Sequence, residues 1–238
     1  MLAGLTLALL TGQPAVNPST QLWFSQPAHG FTESCPLGNG RLGAMVFGNP
    51  VDEHVVLNES TMWSGSPQDA DREDAYKVLP EIRALLLAGE NRKAQELLQA
   101  NFICKGSGSA LGKSSPYGCY EVFGFLDIHG PPGEVSDYRR VLDLDTAATT
   151  IDYRQGDSSF HREAFASAPA QIVAYRYSAT KKGALDLYIK LSRPERGLVT
   201  VTGTDLEIAG ELQSGFAGDH NRARRLRLRS TEGARHTL

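Results

Sequence analysis

Cysteine, methionine and tryptophan are scarce in this 238-residue sequence, which holds three, three and two of them. Three cysteines cannot build a disulfide scaffold. No surplus of positive charge exists either: 24 Lys and Arg against 27 Asp and Glu give a formal charge of −3, so nothing draws the chain to nucleic acid. The six histidines, at 29, 54, 129, 161, 220 and 236, are scattered and join no cysteine at metal-ligand spacing, which leaves no case for zinc. A Gly-x-Ser-x-Gly elbow and a phosphate-cradling glycine loop ending in Lys-Ser/Thr are both missing. Nucleophilic hydrolases of that type and nucleotide binders drop out, and no cofactor is expected. The apolar run "LAGLTLALL" at 2–10 is too short for a membrane span but has the length of a signal-peptide core, although no Lys or Arg precedes it. Residues 1–19 are therefore read as a signal peptide or disordered leader. Secretion follows if it is cleaved, and a cytoplasmic location if it is not.

What is present reads as β structure. "RLGAMVFG" and "EHVVLN" flank the turn signal "NPVD" and predict a hairpin. "EVFGFLDIHG", "TTIDYRQG", "SSFHREAFAS", "QIVAYRYSA", "ALDLYIKLS" and "DLEIAG" mostly alternate apolar with polar residues, the pattern of half-buried antiparallel strands. The exception lies near 73–101. There Ile82, Leu85 and Leu86, then Ala94, Leu97 and Leu98, recur at helical spacing, with Pro80 suited to a first turn and Gly89 to a helix end. The expected fold is mainly β, a large antiparallel β-sandwich with two or three short helices inserted. Residues 20–217 form that domain, and the Arg-rich 218–238 is read as a disordered or mispredicted tail.

Several residues invite a chemical reading. In "CPLGNGRLGAMVFGNP" the glycines around Asn39 and Arg41 suit a tight turn entering a buried strand, with Arg41 in need of a partner. In "LNESTMWSGSP" Asn58 and Glu59 close a strand and Trp63 offers a flat ring, either as the wall of a sugar site or as a plug at a domain interface. Asn58-Glu59-Ser60 is also a glycosylation sequon, in conflict with both roles. Sugar hydrolysis needs two opposed carboxyl groups. Glu53, Glu59, Asp127, Asp143, Asp145, Asp152 and Glu163 are the candidates, and no two are placed face to face by sequence. Asp143 and Asp145 are read as a surface turn pair. Glu163 and one or more of Arg139, Arg140 and Arg162 are read as structural ion-pair partners, since buried charge must be paired. Cys104 and Cys119 bracket a Gly/Ser-rich stretch that suits one bridge, of roughly 3 kcal/mol on chain-entropy grounds, or else are two free thiols. Cys35 is then the odd thiol, buried rather than reactive.

"PLGNGRLGAMVFG", "LNESTMWSGSP", "LPEIRALLLAGENRKAQELL", "YRRVLDLDTA" and "FHREAFAS" occur in an order and at a spacing that resembles the N-terminal region of glycoside hydrolase family 95, the α-L-fucosidases, from about Trp23 to Gly210. The resemblance implies multi-domain enzymes: an N-terminal β-sandwich, a helical linker, an (α/α)6 barrel with the catalytic site, and a C-terminal β domain. It implies inverting hydrolysis of terminal α-1,2-linked fucose, with the catalytic groups in the barrel. No catalytic residue is therefore carried to a position here. Asn39, Arg41, Asn58, Glu59 and Trp63 are assigned to a domain interface or a sugar-facing surface, and the partners expected are that barrel and fucosylated glycans. The departures are the sudden end, the Arg-rich tail after "EIAGELQSG" and Cys35 before Pro-Leu-Gly. They leave two further readings, a free-standing carbohydrate-binding module and a non-functional gene fragment.

Overall fold

The computed structural model describes residues 17–65, 71–102, 119–212, 224–229 and 235–236, the last two stretches as backbone. Its strands are β1 (Gln21–Phe24), β2 (Cys35–Gly38), β3 (Leu42–Val46), β4 (Asp52–Glu59), β5 (Gly124–His129), β6 (Val135–Asp143), β7 (Ala148–Gln155), β8 (Ser158–Ser167), β9 (Ile172–Ala179), β10 (Tyr188–Ser192), β11 (Gly197–Thr202), β12 (Asp205–Gly210), β13 (Arg224–Arg229) and β14 (Arg235–His236). Helices α1 (Leu79–Leu87) and α2 (Asn91–Asn101), with a 3-10 turn at Ala75–Val78, fall between β4 and β5, where helical spacing predicts them. The mainly-β class and the helical insertion read from sequence both hold.

The chain divides into two compact units. Unit 1 takes the described residues up to His54 together with His129–Asp186. Its main sheet has the order β1-β6-β7-β8-β9, antiparallel throughout. The β2–β3 hairpin packs across β7, β8 and β9, which makes this unit a sandwich. Period-two alternation sorts the faces. Arg140, Ile151, Arg162 and Tyr177 stand in one cross-strand row, and Leu142, Thr149, Ala164 and Tyr175 in the next. The first three of each row are buried. The opposite face carries Asp152, His161 and Ser178, also in register.

Unit 2 takes Val55–Ile128 and the chain from Leu187 onward. It includes most of β4 and β5, with Val55, Val56, Leu57, Leu126 and Ile128 buried, followed by β10. A three-stranded antiparallel sheet β11-β12-β13 adds Leu206 and Ile208 to the core. In the helices Pro80 sits in the first turn of α1, and the Gly89 N–H bonds Leu86 O at 3.1 Å to end it. Ile82 and Ala94 are buried, whereas Leu86 and Leu98 are exposed, so the packed stripe is narrower than the spacing suggests. The Arg-rich segment departs from the expected tail: Arg224–Arg229 pairs as β13 with β12, and the alternation of arginine with Leu226 and Leu228 is itself a strand pattern.

Candidate functional site

Three places hold the residues that sequence singled out, and the first is the turn that enters β3. Asn39 Oδ1 accepts the backbone N–H of Arg41 at 3.0 Å and of Leu42 at 2.7 Å. Its Nδ2 donates to Ser167 O at 2.8 Å, pinning the turn to the end of β8. Gly40, at φ +90°, supplies the left-handed step. Arg41 is exposed, and its Nε donates to Gln171 Oε1 at 2.6 Å. A partner for Arg41 thus lies in unit 1 itself, and Asn39 bonds the backbone of its own turn and of β8.

The second place is the end of β4 in unit 2. Trp63 pairs with Tyr120 through an isolated antiparallel bridge, their rings meeting edge to face at 5.6 Å and 66°. Both rings are largely exposed, with Trp63 at 56 % and Tyr120 at 44 %. The Tyr120 hydroxyl donates to Glu59 O at 3.3 Å, and the Glu59 carboxylate accepts the N–H and hydroxyl of Thr61 at 3.0 and 2.6 Å. Burial, and then the negative Glu59, raise the Tyr120 pKa. Asn58 Oδ1 is buried with no hydrogen-bond partner among the described residues. Cys119 follows closely, its N–H bonded to Ser64 Oγ at 3.0 Å. Cys104 lies outside the described residues, and with it the pairing suggested for these two cysteines.

The third place is one that sequence reading named only in pieces. The last residue of β3 and the connection that follows it, Val46 to Pro50, present five consecutive backbone carbonyls to unit 1's main sheet, and each is met by a side-chain donor. Arg140 Nη1 reaches Val46 O at 3.3 Å and Phe47 O at 3.0 Å, while its Nη2 reaches Glu33 O at 3.0 Å. The Tyr138 hydroxyl donates to Gly48 O at 2.7 Å. Arg162 Nη1 reaches Asn49 O at 2.7 Å, and its Nη2 reaches Pro50 O and the Tyr153 hydroxyl oxygen, the latter at 2.9 Å. Glu53 completes the arrangement: its Oε1 accepts the Gly48 N–H at 2.8 Å and its Oε2 accepts Arg162 Nη1 at 3.3 Å. Aromatic faces cover the cations, Phe24 lying 4.4 Å from the Arg140 guanidinium and Tyr177 4.8 Å from that of Arg162. Cys35 is buried beside them, as expected, and its thiol pKa is raised by burial. Arg162 therefore pairs with Glu53 and not with its chain neighbour Glu163, which alternation turns to the other face. Glu53 stood in the sequence among seven acidic candidates. Tyr138, Tyr153, Tyr175 and Tyr177 were not singled out, although "YRR", "DYR" and "AYRY" repeat a tyrosine beside an arginine in three strands of the sheet.

Catalytic geometry is missing from these places. The Asp143 carboxylate accepts the N–H groups of Asp145 and Thr146 at 2.9 and 3.1 Å and caps a turn, as the surface reading of that pair expects. Asp152, His161 and Ser178 lie in triad order across three strands, with Asp152 Oδ1 2.7 Å from His161 Nδ1. Ser178 Oγ, however, donates to the His161 backbone carbonyl at 3.2 Å instead of engaging the imidazole. Among the described residues no three His, Cys, Asp or Glu side chains could hold a metal ion together, and no helix is long and apolar enough to cross a membrane.

Comparison with known proteins supplies the rest. Residues 22–237 match the family model described as the N-terminal domain of glycosyl hydrolase family 65. The chain is 34 % identical over 186 residues to alpha-L-fucosidase 2 of Arabidopsis thaliana, covering 76 % of this chain and 21 % of that protein. It is 32 % identical over 190 residues to a probable alpha-fucosidase A of Aspergillus niger, covering 75 % and 22 %. A probable alpha-fucosidase A of Aspergillus oryzae matches at 30 % over 183 residues, covering 72 % and 23 %. The chain thus spans about a fifth of the length of the curated relatives it matches.

Proposed function

This chain belongs to the N-terminal-domain family of glycosyl hydrolase family 65, its relatives are fucosidases, and from that premise we propose that it is the non-catalytic β domain of an α-L-fucosidase-like glycoside hydrolase. The reaction it serves is inverting hydrolysis of terminal α-1,2-linked fucose, carried out by a catalytic barrel to which this domain docks. The observation that carries the reading is the state of Glu53. Hydrolysis of a glycosidic bond needs two carboxyl groups that reach the sugar. Glu53 is 1 % exposed and spends both oxygens on the Gly48 N–H and Arg162, where no glycan can enter. The purified chain incubated with a 2′-fucosylated oligosaccharide should release no fucose. Release above the blank would overturn the non-catalytic assignment.

A second reading, a free-standing carbohydrate-binding module, is favoured by the exposed Trp63 and Tyr120 rings, because pyranose faces stack on such surfaces. Titration with fucosylated glycans should then give a saturable change in tryptophan fluorescence that disappears in Trp63→Ala. No change at millimolar glycan removes this reading. Secretion is part of the first proposal, and mass spectrometry of the mature N-terminus tests it: a start between Ala15 and Ser19 supports export, and a retained Met1 rejects it.

A further inference from the structure

We propose that Asn39 is a covalent modification site gated by the fold: the native turn keeps it intact, and opening of the turn commits it to deamidation through Gly40. Asn39 is the one asparagine of the sequence that a glycine follows. The order matters chemically, because a glycine has no Cβ to crowd its own nitrogen or to restrict its φ, and that nitrogen can approach the side chain before it. In the step itself the Gly40 N–H gives its proton to solvent hydroxide and the nitrogen forms a bond to Asn39 Cγ. The Cγ–Nδ2 bond then breaks, and Nδ2 takes a proton from water and leaves as ammonia. A further water opens the succinimide ring at either carbonyl, leaving aspartate or isoaspartate at position 39. No oxidant or reductant takes part. Gly40 and Arg41 are exposed and Asn39 is half-buried, so water and hydroxide have access.

Hydrogen bonds on both edges of the side-chain amide hold this chemistry off. Oδ1 is fixed by the N–H groups of Arg41 at 3.0 Å and Leu42 at 2.7 Å, and Nδ2, the leaving group, is bound to Ser167 O at 2.8 Å. The backbone N–H of Asn39 donates to Leu42 O at 3.1 Å and closes the hairpin turn. Attack on Cγ comes from above the amide plane, so turning that face to Gly40 N means leaving all three side-chain partners. Together the three bonds should slow the reaction by about 10–1000-fold relative to the open chain. The product does not fit the native place. A carboxylate has no proton for Ser167 O, so oxygen would face oxygen where Nδ2 now donates, and isoaspartate also lengthens the turn's backbone by one carbon. The pin between the β2–β3 turn and the end of β8 is then lost, with the Arg41 bond to Gln171 left beside it. Asn39 thus keeps a lasting mark of each time the turn has opened.

Incubation of the full chain at pH 8, in native buffer and in unfolding urea, followed by peptide mass mapping, tests this. In urea the peptide that holds Asn39 should gain one mass unit and divide into aspartate and isoaspartate forms. In the folded chain the same change should run at least about tenfold more slowly. Gly40→Ala, kept in urea, should lose most of the modification, because a methyl group then crowds the attacking nitrogen. Equal rates in the folded and unfolded chain overturn the proposal, and so does an Asn39 peptide that stays unmodified in urea. Asn39→Asp installs the carboxylate directly and should unfold at a lower urea concentration than the wild type; an unchanged midpoint overturns the loss of the pin. The time course uses the wild type and decides the gating whether or not that variant folds.

Discussion

Gly48 occupies a position that no other residue fits. Its φ is +80°, and a Cβ there would stand 2.7 Å from both Arg140 Cδ and the Tyr138 hydroxyl oxygen. Gly48→Ala should cost about 2–4 kcal/mol, as left-handed backbone strain and overpacking add, and urea denaturation measures it. Arg162→Ala strips the donors from Asn49 O, Pro50 O and Tyr153 and strands Glu53, and should cost about 3–5 kcal/mol in the same assay. Arg41→Ala removes the exposed side-chain bond to Gln171, and the expected effect of a surface substitution stays within about 1 kcal/mol. At this scale sequence was informative about type and weak about pairing. That an arginine inside a strand needs a partner follows from desolvation alone. Which acid answers it depends on strand order: Glu53 lies 109 positions away, on a strand that the hairpin packing brings over β8, whereas the adjacent Glu163 points away.

Elements were more legible, because their signals are local. Alternation marked the strands, and "NPVD" marked the β3–β4 turn, in which Asn49 Oδ1 accepts the N–H groups of Val51 and Asp52, both at 3.0 Å. Helical spacing located α1 and α2 but overstated their buried face, since spacing reports periodicity and not what lies opposite. Ile82, 3 % exposed, is the anchor of α1, and Ile82→Ala should cost about 2–4 kcal/mol. Leu87, at 91 % exposure on the same helix, should tolerate alanine within about 0.5 kcal/mol. Equal losses at the two positions would refute this account of which face packs. Trp63 was legible as an exposed ring at a strand end, but Tyr120, its edge-to-face neighbour 57 positions on, was not, because the bridge that joins them is a long-range contact.

For the whole molecule, the family was legible where the fold's finer division was not. Five short motifs sufficed for the fucosidase resemblance, yet nothing in them marks the passage from unit 1 to unit 2 after His54, in the middle of β4. Because a single strand of eight residues runs through that boundary, the two units should unfold together. The sequence contains two tryptophans, Trp23 in unit 1 and Trp63 in unit 2. Single-tryptophan proteins carrying Arg162→Ala should report the same lowered urea midpoint from either ring. A midpoint at Trp63 that stays at its wild-type value would separate the units energetically.

The five carbonyls from Val46 to Pro50 also carry a consequence in time. The hairpin they close is local, yet its donors lie 90 to 113 positions further along the chain. At about 5–20 residues per second, synthesis leaves this corner without its arginines for roughly 5–20 s. During that interval a nascent hairpin exposes bare carbonyls beside an apolar strand, and a chaperone has its opening there.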